Sequence, residues 1–62
     1  MKKYAYKVRE VVDSGTGDYP FQITLLGEDG SKKMIDLSRE QLRDTKIGIG
    51  DTIYLNEFGV LL

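Results

Sequence analysis

Three observations predict a mainly β chain folded as one small domain over residues 1–62, a five-stranded barrel with one short helix between its third and fourth strands. Apolar residues alternate with polar ones at period two in successive segments separated by glycine-rich or acidic breaks. A helix-start signature, Ser38 followed three residues later by Gln41, sits after the third of these segments. The stretch Ile47-Gly48-Ile49-Gly50-Asp51 then turns the chain into a fourth.

Residues 2 to 12 read as a long first strand, with Tyr4, Tyr6 and Val8 on one face and Lys3, Ala5, Lys7 and Arg9 on the other. Val11 and Val12 are adjacent, so the alternation slips, and a bulge near Arg9-Glu10 repairs it. Such a bend carries a first strand from one half of a small barrel to the other. Asp13 to Asp18 holds two glycines and no apolar residue and reads as a loop. Pro20 stands near the start of the next strand, where its missing N–H does least harm. Phe21, Ile23 and Leu25 mark one face of the second strand, and Gln22, Thr24 and Leu26 the other.

Glu28-Asp29-Gly30 makes a three-residue hairpin loop in which Gly30 takes the positive φ. Setting Gly27 opposite Ser31 then places Phe21 across from Leu37, Ile23 from Ile35 and Leu25 from Lys33. A one-residue slip would put Ile35 and Leu37 on the wrong face, so the apolar pattern and the turn support each other. Leu42 is the single apolar anchor of the helix that Ser38 caps, which limits it to one or two turns. Ile53 and Leu55 alternate with Thr52 and Tyr54 in a fourth strand, Asn56 to Gly59 turns, and Val60-Leu61-Leu62 supplies a short fifth.

At this length only about 60% of the unfolded surface can be buried, which leaves little room for an internal pocket. The chain has no Cys and no His, so disulfides, thiol nucleophiles, imidazole bases and the usual metal sites are all unavailable. Pairs such as Glu40 and Asp44 read as a solvated helix face. The expectation is a protein that is not an enzyme and carries no cofactor or metal. Gly48 to Thr52 opens a strand instead of a helix and is followed by no Lys, unlike a phosphate loop. The loop from Asp13 to Asp18 lacks the ligand series of a calcium loop. No segment approaches the roughly 20 apolar residues of a membrane span, and Tyr4, Tyr6, Lys7 and Arg9 break any apolar run after Lys2-Lys3. A cytoplasmic protein without a membrane partner is expected.

Three strands, a short helix and two more strands is the order of an OB-type barrel, whereas an SH3-like barrel, the alternative, sets its helical turn before the last strand. The segments Phe21 to Leu25, Asp29-Gly30, Ile35-Asp36-Leu37-Ser38 and Gly50-Asp51-Thr52-Ile53-Tyr54-Leu55 resemble a reduced version of the OB domains of the S1 and bacterial initiation-factor-one type. That resemblance implies binding of single-stranded nucleic acid on the outer face of strands one to three.

Two faces are therefore candidates. Lys3, Lys7, Arg9, Gln22, Thr24 and Lys32 form the candidate nucleic-acid face if Tyr4 and Tyr6 point inward, a choice the pattern leaves open. Leu26 and Met34, on the outward side of the hairpin, form the candidate protein-contact face together with Arg39 and Arg43 on the helix. Whether the C-terminal Phe58 to Leu62 segment covers Leu26 and Met34 is equally open. Nine basic and ten acidic side chains sum to −1, which favours a protein partner over a polyanion. The charges are unevenly spread: no Lys or Arg lies between residues 10 and 31. A third reading is a homo-oligomerising or engineered scaffold without a ligand, dimerising through Val60-Leu61-Leu62.

Overall fold

A computed structural model describes residues 2–62. Four strands, β1 (Lys3–Asp13), β2 (Phe21–Gly27), β3 (Lys32–Leu37) and β4 (Thr52–Asn56), form one antiparallel sheet in the order β3-β2-β1-β4, and one helix, α1 (Arg39–Thr45), joins β3 to β4. The sheet is open: β3 and β4 are its edges. The expected fifth strand is reduced to one bridge, Leu61 to Leu55, flanked by hydrogen bonds from Asn56 N to Val60 O and from Leu62 N to Tyr54 O.

β1 is the shared strand. Lys3 to Lys7 pair with β4, Tyr6 to Asp13 pair with β2, and the register slips by one residue between Val8 and Glu10. Arg9 is the extra residue, and its insertion puts Val8 and Val11, three apart, on the same side as Ile23 and Leu25. Val12 is left on the other side, opposite Gln22 and exposed. The turn before β4 fastens this bend: Val8 N donates to Asp51 O and Gly50 N donates to Val8 O, both at 2.8 Å. The turn itself is closed by Gly48 N donating to the Asp51 carboxylate, with Gly50 at φ +93°.

The β2–β3 hairpin has the register the sequence predicts, from Phe21 with Leu37 through Leu25 with Lys33 to Leu26 with Lys32. Gly30 sits at φ +86° in the three-residue loop, and Gly27 N donates to Ser31 O at 2.7 Å. Ser38 caps α1 in both directions, its Oγ accepting from Gln41 N and its own N–H donating to Gln41 Oε1.

All packing is on one face. Val8, Ile23, Leu25, Leu37, Ile53 and Leu55 are buried, and Tyr6, Val11, Phe21, Ile35, Leu42, Ile47 and Leu61 pack around them. Tyr4 and Tyr6 follow Val8 onto this side, since Tyr4 pairs with buried Leu55 and Tyr6 with Ile53, which settles the orientation of β1. Leu42 and Leu61 bring the helix and the C-terminal segment to this same face. Among the described residues, nothing forms a second layer on the opposite face of the sheet.

Candidate functional site: the uncovered face of the sheet

Because side chains alternate across each strand, the registers fix which residues share the uncovered face. Reading across the sheet, Lys32, Leu26, Lys7 and Thr52 lie in one row. Met34, Thr24 and Glu10 form the next, then Asp36, Gln22 and Val12. Toward the other end, Ala5 faces Tyr54 and Lys3 faces Asn56. Of the six residues expected to form a nucleic-acid face, Lys3, Lys7, Gln22, Thr24 and Lys32 lie on this side by register, while Arg9 is the unpaired residue of the bulge. Thr24 is half-buried and the other five are exposed.

Leu26 and Met34 are on the same face, on neighbouring strands and two residues apart in register. Leu26 is half-buried, and Met34 is 55% exposed. The C-terminal segment does not cover them: Leu61 belongs to the core side and Phe58 is 82% exposed. Arg39 and Arg43 are placed apart from this pair. The Arg39 guanidinium lies 5.3 Å from the ring centre of Phe21, a core-side residue, and 3.9 Å from the Asp13 carboxylate. Arg43 faces Asp44 at 3.5 Å, both exposed. The helix arginines thus belong to a rim on the packed side and do not extend the Leu26/Met34 surface.

Three features of the face escape a reading by sequence position. Glu10 and Asp36 bring two carboxylates among the lysines, Glu10 directly opposite Thr24 at the centre. Tyr54 supplies the face with an aromatic ring, with Lys3 Nζ held 5.0 Å from its centre. Its outward position is implicit in the alternation of Ile53 and Leu55, but the pairing with Lys3 depends on the β1–β4 register. The third is a cleft of about 580 Å³ that wraps the sheet end from Tyr54 and Lys3 to Tyr4, Tyr6 and Lys33. Lys33 Nζ lies 5.9 Å from the Tyr6 ring centre, so both lysines of this cleft rest on tyrosines.

In the wall of the cleft, Asp29 accepts a hydrogen bond from Ser31 N at 3.0 Å. Hydrogen bonding from Ser31, side chain first and backbone second, holds the Asp29 carboxyl below the ordinary aspartate range. This is turn architecture, with the charge stabilised by its own loop.

Among the described residues no group of three or more acidic side chains converges on a metal-sized space, and no helix is long and apolar enough to cross a membrane. Comparison of the chain with protein-family models, with curated proteins and with solved structures gives no match.

Proposed function

We propose that this is a non-enzymatic binding module that engages a protein partner through the uncovered face of its sheet. The observation that carries the reading is Met34, 55% exposed beside half-buried Leu26 on a face without a second layer. Exposed Val12 and Tyr54 widen the apolar content of that face, and Glu10 and Asp36 interrupt its positive charge. Alternating apolar and oppositely charged groups suit a protein surface, where a polyanion would meet repulsion at the centre.

The second reading is single-stranded nucleic-acid binding in the manner of an OB barrel. It is supported by the convergence of Lys3, Lys7 and Lys32 on one face with Tyr54 among them. The connectivity agrees with it, since β1 pairs with both β2 and β4 and the C-terminal bridge lies on β4. Closure into a five-stranded barrel requires the residues around Leu61 to meet β3. A cytoplasmic, cofactor-free role fits either reading.

An amide NMR titration with mixed-sequence single-stranded DNA and RNA, at low and then physiological salt, separates the two. The protein-partner reading expects no salt-sensitive shifts at residues 3 to 9, 22 to 26 and 32 to 36. Clustered, salt-sensitive shifts there would overturn it in favour of phosphate contacts. Partner capture should then be lost in Leu26→Asp and retained when Lys3, Lys7 and Arg9 are changed to Glu.

A further inference from the structure

We infer that β3 pairs with β3 of a second copy of this chain, antiparallel about a two-fold axis through Met34, to give a continuous eight-stranded sheet. The inference stands on the outermost strand of the sheet, and it engages Met34, Lys32 and Asp36 at the margin of the face proposed for a partner.

The edge has a defined polarity. Gly27 N bonds to Ser31 O toward β2, and backbone direction alternates along an antiparallel strand. Ser31, Lys33, Ile35 and Leu37 therefore turn their backbone groups to β2. Lys32, Met34 and Asp36 turn theirs outward, an extended row of donors and acceptors with β3 outermost in the strand order. Among the described residues, the C-terminal segment makes its backbone bonds to β4 and within its own turn, none to β3, from which a groove of about 380 Å³ between residues 35–37 and 59–61 separates it. It offers one bridged residue where β3 offers three outward ones.

Side-chain order then selects the occupant. In a two-fold antiparallel pair centred on Met34, Lys32 of each copy stands opposite Asp36 of the other, and Met34 stands opposite itself. Two inter-copy ion pairs flank an apolar contact, all on the uncovered face, where cross-strand neighbours interact directly. Centring the pair on Lys33 would set two lysines face to face, and centring it on Ile35 would set Asp36 against Met34. One register therefore matches the outward backbone groups and opposes Lys32 to Asp36 on the uncovered face, with Lys33 opposite Ile35 on the other side. Lysines commonly protect an edge from pairing; here Asp36 supplies the complement that a second copy brings. A six-residue strand is a small interface, at the low end of specific contacts, so dissociation in the micromolar to millimolar range is expected.

Sedimentation equilibrium over that concentration range, with folding of each variant checked by amide shift dispersion, provides the test. The wild type should show a monomer–dimer equilibrium that weakens with salt. Asp36→Lys should raise the dissociation constant about tenfold or more, by replacing two attractions with two repulsions, and adding Lys32→Glu to it should restore dimerisation. Met34→Cys should cross-link to itself on mild oxidation, because directly opposed residues in a hydrogen-bonded pair have Cα atoms about 5.5 Å apart. Thr24→Cys, one strand inward, should not. A monomer at every concentration, a double variant no better than Asp36→Lys, or equal cross-linking at residues 24 and 34 would each overturn the inference. Val12→Asp, exposed on the same face but two strands away from β3, should dimerise like the wild type, so failure of the proposed partner face and failure of this pairing read out separately.

Discussion

Gly27 shows how one side chain's absence shapes the end of the sheet. A Cβ added there would lie 2.8 Å from Ser31 Oγ, 3.0 Å from Asp29 Oδ1 and 3.2 Å from a Tyr6 ring carbon. The two oxygens cannot retreat without disturbing the loop that Asp29 and Ser31 hold together. Gly27→Ala should therefore destabilise by about 1–2 kcal/mol, measured by urea unfolding. Asp29 gives the same loop a pH dependence. Its folded pKa lies below its unfolded one, so its contribution is complete at neutral pH and is lost as pH falls through the folded value. The Ser31 amide resonance should titrate below the ordinary aspartate value of about 3.9, and Asp29→Asn should remove that titration. Lys46 is the only non-glycine residue at positive φ among the described residues, at φ +54°, where it caps α1 by donating its N–H to Leu42 O. An L side chain there carries a steric cost that glycine avoids. Lys46→Gly should stabilise by about 0.5–1 kcal/mol, visible as a higher melting temperature.

At the scale of elements, α1 depends on its cap more than on its packing, since seven residues with Leu42 as their core contact cannot sustain a helix alone. Ser38→Ala should cost about 1 kcal/mol and loosen α1, read as faster amide exchange at Gln41 and Leu42. The hairpin register was legible because two independent constraints agreed: Gly30 fixed the turn and the Ile23/Ile35 and Phe21/Leu37 pairs fixed the faces. The bulge at Arg9 was legible because Val8, Val11 and Val12 cannot satisfy one alternation. The direction of Tyr4 and Tyr6 was not, since tyrosine suits either face of a pleated surface; pairing with Leu55 and Ile53 decides it, across nearly the whole chain. Grouping Arg39 and Arg43 with Leu26 and Met34 failed for a related reason. Sequence places the helix after β3 but does not say to which face of the sheet Leu42 draws it.

Across the whole molecule, one packed face and one bare face divide the roles. The core binds the strands through Val8, Ile23, Leu25 and Leu55, each no more than 1% exposed, while the charged and apolar groups opposite remain accessible. The number of strands was the least legible property, because Val60-Leu61-Leu62 has strand-like residues while Asn56 ties them into a turn. Its Oδ1 accepts from both Phe58 N and Val60 N at 2.9 Å, which leaves Leu61 as the single bridged residue. The double hydrogen bond at Val8 also sets an order of assembly. Joining Val8 to Gly50 and Asp51 closes a loop of about forty residues, an entropic cost that the three-residue β2–β3 turn escapes. The hairpin can therefore be in place at the rate-limiting step while β4 is still searching. Truncations at Ile23 and Ile35 should slow refolding, and truncation at Ile53 should chiefly speed unfolding.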